Sequence, residues 1–282
     1  MLERIYLEIG NICNLNCSFC AGTKREKRLM ACDEFRLVCE RIRGYTKYIY
    51  LHVMGEPLLH PNLDELLNIA SENGLAVCIT TNGTLLCEKG DILIRNADKI
   101  HKISISLHAP EGNGKHDIED YLKSVCAFAK RITPLGVYAV FRLWNMDSDE
   151  GIGKSSENAK IAELLRGEYP CEWEQKRRGY RLARNTFLEY DGVFTWPSES
   201  EASPEENGYC HGVSSQLGIL ADGTVVPCCL DSEGAIPLGN IFTQKMDEIL
   251  HAPRLIAIKE GFKNRVAVEE LCKKCTYKRR FK

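Results

Sequence analysis

Cys13, Cys17 and Cys20 form the string C-N-L-N-C-S-F-C, that is C-x3-C-x2-C, directly after the apolar run Ile5-Tyr6-Leu7-Glu8-Ile9. Three soft thiolates on one short loop can hold three corners of an iron–sulfur cube. A fourth cysteine at local spacing is missing, so one iron of such a cube has no protein ligand. An iron with an open position can bind substrate or cosubstrate, as a catalytic zinc does. The plainer alternatives are buried cysteines or a zinc site. Three cysteines within eight residues on a strand-to-helix loop are hard to assign to packing.

Cys210, Cys228, Cys272 and Cys275 form a second set, spaced C-x17-C-x43-C-x2-C. The C-x-x-C pair is a strong chelate because its sulfurs converge without chain strain. Four thiolates suit a tetrahedral zinc or a fully ligated iron–sulfur cube, and spacing does not separate the two. Cys229 adjoins Cys228 as an alternative ligand. Cys32, Cys39, Cys78, Cys87, Cys126 and Cys171 are scattered and read as small apolar fillers. The basic run Lys176, Arg177, Arg178, Arg181 and Arg184 reads as a solvated face, with an anionic substrate or flavodoxin contact as the sharper alternative.

Several polar residues fall where strands should end. Gly55-Glu56-Pro57 follows a predicted strand, where a glycine admits a ligand to the backbone and a carboxylate can hold an ammonium group. Thr81-Asn82-Gly83, Ser106 and His108 fall at the same end of later strands. Arg142 ends another and could meet a ligand carboxylate bidentately, against an internal salt bridge as the alternative.

Strand patterns lie at residues 5–9, 48–53, 76–80, 103–107, 137–141 and 186–190. Helical patterns separate them at 32–42, 62–73, 89–97, 117–132 and 156–166. Alternation of this kind predicts a parallel sheet with right-handed crossovers, an α/β fold. Six units make a partial (β/α)6, TIM-like barrel over residues 1–196. Residues 197–208 are acidic and turn-rich and read as a linker or surface loop. Beyond it, 209–282 reads as a small α+β domain. It has a hairpin around Asp222-Gly223 and helices near 246–250 and 253–262.

The chain has 282 residues, 44% hydrophobic and 27% charged, with a net charge of −2. That balance predicts an ordinary globular protein and gives no support for nucleic-acid binding. Fourteen cysteines without a signal peptide or a ~20-residue apolar span point to a reducing cytoplasm with metal sites and no membrane partner.

With Phe19 as the aromatic before its last cysteine, the first motif resembles that of the radical S-adenosylmethionine (radical SAM) enzymes. The resemblance implies a [4Fe-4S] cluster whose fourth iron chelates the amino and carboxylate groups of S-adenosyl-L-methionine. Reductive cleavage then gives a 5'-deoxyadenosyl radical that abstracts hydrogen from a substrate. Gly55-Glu56-Pro57 resembles the family's G-G-E-P segment, which holds the methionine amino group, with Met54 replacing the first glycine. By the same resemblance Asn82, Ser106 and His108 contact the ribose, adenine or methionine moiety, and Arg142 the cosubstrate carboxylate. Gly223 to Cys228, Leu238-Gly239-Asn240-Ile241 and the terminal C-x-x-C resemble the family's SPASM/twitch extension. In cysteine order and spacing they come nearest to its aminoglycoside-biosynthesis dehydrogenases.

The short C-terminus favours the twitch form, hence a second [4Fe-4S] cluster on Cys210, Cys228, Cys272 and Cys275. The resemblance also implies a flavodoxin or ferredoxin reductant. It points to two-electron oxidation of a small-molecule or peptide substrate. Peptide maturation by thioether formation or epimerisation is the alternative within the family. A non-catalytic iron–sulfur or zinc protein is the rival outside it. A chain that opens on its first strand favours a small molecule or short peptide.

Overall fold

A computed structural model describes residues 1–108, 117–145, 156–192, 194–198 and 203–281. Strand and helix alternate from the start: β1 (Arg4–Leu7), α1 (Cys32–Ile42), β2 (Tyr48–Tyr50), α2 (Leu63–Glu72), β3 (Ala76–Thr81), α3 (Leu86–Arg95), β4 (Ile100–Ser106), α4 (Ile118–Ile132), β5 (Tyr138–Asn145) and α5 (Ser156–Glu168). A meander follows, β6 (Glu174–Lys176), β7 (Gly179–Ala183) and β8 (Thr186–Gly192). The C-terminal part contributes β9 (Gln216–Ile219), β10 (Thr224–Val226), β11 (Gly239–Asn240), α6 (Met246–Leu250), α7 (Pro253–Lys263) and α8 (Glu270–Lys274).

One mixed, open sheet holds all eleven strands in the order β11-β10-β9-β1-β2-β3-β4-β5-β8-β7-β6. The six expected barrel strands are β1 to β5 and β8, each parallel to its neighbour. Two features depart from the sequence reading. The hairpin β6–β7 carries no sequence signal because β6 is exposed and polar and β7 offers the core little beyond Leu182. The hairpin β9–β10, expected inside a separate unit, instead extends the barrel sheet. β9 runs parallel to β1 with Arg4, Ile5, Tyr6 and Leu7 opposite Gln216, Leu217, Gly218 and Ile219. Of the proposed linker, residues 199–202 lie outside the described residues.

Alternation along each strand divides the two faces of the sheet. Ile5, Leu7, Ile49, Val77, Ile79, Ile103, Ile105, Ala139 and Phe141 are buried in one continuous core with Phe35, Val38, Leu66, Leu67, Val125 and Phe128 of the helices. Each such large side chain is worth about 1.5–3 kcal/mol of burial. The same core takes in Leu217, Ile219, Val225, Ile249, Leu255 and Phe262 from beyond residue 209. Neighbours on the opposite face, such as Tyr6, His52, Thr80, Ser106, Arg142 and Trp144, line a cavity of about 850 Å³. No described helix is long and apolar enough to cross a membrane.

Candidate active site

The loop of residues 8–31 leaves the C-terminal end of β1 and carries Cys13, Cys17 and Cys20. Asn11 ties its two arms together: its amide donates to the Glu26 carbonyl at 2.8 Å and its oxygen accepts from Arg28 N–H at 2.9 Å. Backbone amides also donate to sulfur, from Leu15 to Cys13 Sγ at 3.5 Å and from Gly22 to Cys20 Sγ at 3.4 Å. Such bonds stabilise the thiolate form that a cluster requires.

Gly55 supports this loop from beneath. Its φ of +83° is a left-handed conformation, and a Cβ there would sit 2.4 Å from the Gly10 carbonyl oxygen. Glu56 N–H donates to the Ile12 carbonyl at 2.9 Å. The Glu56 carboxylate is engaged internally, accepting from Thr81 Oγ1 at 2.7 Å, Asn82 N–H at 2.7 Å and Leu58 N–H at 3.0 Å. It braces the loops after β2 and β3 while lining the cavity. Pro57 is buried as the first residue of a 3-10 turn, Pro57–Leu59.

Asn82 extends the brace. Its amide donates to Asn14 at 2.9 Å, and its oxygen accepts from Thr84 Oγ1 at 2.7 Å. Tyr121 from α4 donates to the Asn82 and Ser106 carbonyls at 2.7 and 2.8 Å, locking the ends of β3 and β4 together. Gly55, Glu56, Asn82, Ser106 and Arg142 all line the cavity. His108 does not: it is 1% exposed, its Nε2 accepts from Trp144 N–H at 2.8 Å, and its ring stands edge-on to Phe19. This placement makes His108 a support behind the wall, contrary to the expected cosubstrate contact.

The C-terminal thiols converge through several elements. Cys272 lies in α8 and Cys275 caps it. Cys228 follows β10, and Val213 N–H donates to the Pro227 carbonyl at 3.2 Å, bringing the segment of Cys210 alongside. Burial raises all four thiols above the usual cysteine value, Cys272 to about 12, and Cys228 is pushed further by Cys229, Cys210 and Cys272. Cys229 lines the same cavity, and its thiol bonds the Tyr6 hydroxyl and feels Arg142. Among the described residues no three His, Cys, Asp or Glu side chains are drawn in to single-ion spacing. Lys278 is buried against this group, its ammonium donating to the Lys273 carbonyl at 3.0 Å and to the Glu205 carbonyl.

All seven thiols line the same cavity. Sequence reasoning missed its aromatic rim. Phe194 packs against Trp144, Trp196 and Tyr277 with centroids 5.3–5.9 Å apart, and Trp196 Nε1 donates to the Phe19 carbonyl at 3.1 Å. No periodicity could have revealed it, since these residues come from three segments.

Residues 7–150 match the family model of the radical SAM superfamily, about half the chain. The chain belongs to that superfamily. Residues 210–276 match SPASM, an iron-sulfur cluster-binding domain. The family cofactors follow: a [4Fe-4S] cluster and S-adenosyl-L-methionine for the first region, further iron–sulfur for the second. A cavity lined by Cys13, Cys17 and Cys20 and by Cys210, Cys228, Cys229, Cys272 and Cys275 fits both groups.

Among curated relatives, the tungsten-containing aldehyde ferredoxin oxidoreductase cofactor-modifying protein of Pyrococcus furiosus is 33% identical over 92 residues, 31% of this chain and 26% of the relative. A GTP 3',8-cyclase of Chlorobaculum tepidum is 32% identical over 33% of this chain and 29% of its own length. The chain thus spans less than a third of these two relatives. The sporulation killing factor maturation protein SkfB of Bacillus subtilis is 23% identical over 92% of this chain and 67% of its own. Two solved structures share the fold. BtrN, in complex with AdoMet and 2-DOIA, has a TM-score of 0.61 at 19% identity, over 98% of this chain and 93% of that one. Streptococcus suis SuiB, bound to precursor peptide SuiA, has a TM-score of 0.64 at 15% identity, over 98% and 71%.

Proposed function

We propose that this chain is a radical SAM oxidoreductase that removes two electrons from a small-molecule or peptide substrate. The observation that carries the reading is the single cavity onto which both thiol sets open. Bound there, the cofactors supply reductive cleavage of S-adenosylmethionine to a hydrogen-abstracting radical and a nearby acceptor for the electron left on the substrate. Cys13, Cys17 and Cys20 hold the cleaving cluster, and Cys210, Cys228, Cys272 and Cys275 the auxiliary one. Gly55, Asn82 and Ser106 face the cosubstrate. Glu56 and Tyr121 fix the loops that present them, and the aromatic rim excludes water. A flavodoxin or ferredoxin is the reductant, in the cytoplasm. The boundary near residue 197 separates the two cluster-bearing regions.

A second reading is peptide maturation. The SkfB likeness runs through nearly the whole chain and supports it. Replacing Cys13, Cys17 and Cys20 together with Ala should abolish 5'-deoxyadenosine formation in anaerobically reconstituted protein. Retained 5'-deoxyadenosine would end the assignment. Retained auxiliary iron with product lost is the expected outcome.

A further inference from the structure

The hairpin β6–β7 forms one edge of the sheet, and no described strand lies beyond β6. Its inner side is anchored. Trp173, just before β6, is buried, its Nε1 donates to the Tyr169 carbonyl at 3.0 Å, and the Arg166 guanidinium lies 4.4 Å from its ring centroid. Tyr180 of β7 packs on Trp173 and Tyr190 with centroids 5.7 and 6.5 Å away. The outer side is bare: Glu174, Gln175 and Lys176 are all exposed. Tyr190 N–H donates to the Arg178 carbonyl at 2.8 Å, which sets the alternation of the ladder. Arg178 and Tyr180 turn their peptide groups to β8, Lys176 and Gly179 bond one another, and Gln175 turns its N–H and carbonyl outward. An open edge of this kind is a template for an extended chain.

The edge also carries charge of one sign. Residues 172–184 hold five basic side chains, Lys176, Arg177, Arg178, Arg181 and Arg184, against Glu172 and Glu174, in a chain whose net charge is −2. Lys176 and Arg181 share Glu174. Arg177 and Arg178 are exposed at the tip and meet no carboxylate among the described residues. Charge of either sign would keep the edge from pairing with a second copy, whereas a surplus of one sign selects an acidic partner. The tip pairs with the end of β8, and Phe194, four residues after Tyr190, lines the cavity beside Trp144. A chain held on β6 is thus placed next to the cavity mouth.

We propose that the β6 edge, with Arg177 and Arg178 at its tip, docks an acidic, extended stretch of a peptide substrate as an added strand of the sheet. This rests on the peptide form of the substrate reading. Three residues of edge give little affinity alone, so backbone pairing and charge act together.

The test uses the full chain reconstituted with both clusters. The probes are three fluorescein-labelled octapeptides followed by anisotropy: one alternating Glu and Thr, one alternating Lys and Thr, and the Glu peptide with its four central amides N-methylated. The plain Glu peptide should bind about tenfold more tightly than either of the others, and less tightly as salt rises. Arg177→Glu with Arg178→Glu should reverse the preference between the Glu and Lys peptides. Gln175→Pro, which removes the outward N–H at an edge that tolerates proline, should shrink the effect of N-methylation to about twofold or less. The comparison of peptides on the unaltered chain needs no variant, so the test stands if a variant does not fold. Equal binding of the Glu and Lys peptides, no effect of N-methylation, or an unchanged preference in the double variant would overturn the proposal. So would a double variant that binds the peptides normally but loses flavodoxin-driven 5'-deoxyadenosine formation, which would assign the tip to the reductant. Dithionite-driven 5'-deoxyadenosine formation, which every variant should retain, reports separately on the radical SAM reading.

Discussion

Glu8 and Arg25 form a bidentate ion pair, Nη2 to Oε1 at 2.7 Å and Nη1 to Oε2 at 2.9 Å, with the Glu8 side chain wholly buried. The same carboxylate accepts from Met54 N–H at 3.1 Å and Ala221 N–H at 2.9 Å, and Arg25 Nε donates to the Ser232 carbonyl at 2.7 Å. One carboxylate thus joins the cysteine loop, the Gly55 loop and the β9–β10 turn. Every lone pair in use compensates the desolvation of the charge, which makes the pair a fixed hinge pin rather than a surface contact.

Glu8→Gln should cost about 3–5 kcal/mol, because Arg25 is left buried without its counter-charge. The cysteine loop should loosen, with proteolysis near Arg25 and loss of roughly half the iron, one cube of two. Iron content and mapped cleavage sites check this. Full iron with an unchanged digestion pattern would show that the pair does not position the loop.

Gly55→Ala places a methyl group where the backbone of Gly10, Ile12 and Asn11 already passes, at a left-handed φ. Backbone cannot yield as a side-chain tip can, so the cysteine loop must lift. Cleavage of S-adenosylmethionine should fall by about a hundredfold or more, the scale of a 1 Å misplacement. The auxiliary cluster should stay loaded. Normal 5'-deoxyadenosine formation would show that the close approach is not needed.

The sequence made the barrel strands and both thiol sets legible, because alternation and cysteine spacing are local. Cys32–Ile42 and Met246–Leu250 fall where periodicity put them. What escaped was long-range. Nothing in Gln216-Leu217-Gly218-Ile219 says that it pairs with β1 rather than within its own unit. Glu8, inside an apolar run, carries no local sign of its three partners, Arg25, Met54 and Ala221. Glu56 and His108 were read by position as ligands. Their engagement by local donors, Thr81, Asn82 and Leu58 for one and Trp144 for the other, is visible only in three dimensions.

His52 links stability to pH with a defined sign. Its folded value, about 3, lies below the ordinary 6.5, so the unfolded chain takes up a proton first as pH falls. Its contribution is complete above about pH 6.5 and declines as pH falls towards the folded value. Between pH 7.5 and 5.5 the wild-type melting temperature should drop more than that of His52→Gln. Parallel curves for the two proteins would show that His52 does not titrate this way.

Lys278 brings a buried positive charge to the four C-terminal thiols. It is felt by Cys210, Cys272 and Cys275, while its ammonium also caps the Cys272 and Lys273 carbonyls. A cube held by four thiolates is anionic, and in a buried setting a nearby cation favours the more reduced state. Lys278→Met keeps the stem and removes the charge. The auxiliary cluster's midpoint potential should fall, with the N-terminal cluster's signal unaltered, as read by redox titration under electron paramagnetic resonance. A potential unmoved by Lys278→Met would mean that solvent, not this ammonium, sets the local field.

Cys228 and Cys229 separate two roles that adjacency in sequence conceals. The Cys228 thiol is pressed by Cys229 and also by Cys210 and Cys272, whereas the Cys229 thiol in addition bonds Tyr6. Both lie in the bend and turn that follow β10, and of the two it is Cys229 that is drawn to Tyr6 and Arg142. Cys228→Ser should therefore strip iron from the auxiliary site and, since metal binding is coupled to local folding, loosen α8 and the residues after it. Cys229→Ser should keep the iron and alter only the cavity wall. Iron counts and hydrogen exchange over residues 270–281 distinguish the two. If Cys229→Ser loses the iron and Cys228→Ser retains it, the four-thiol assignment must be redrawn around Cys229, and Tyr6 becomes a neighbour of the cluster.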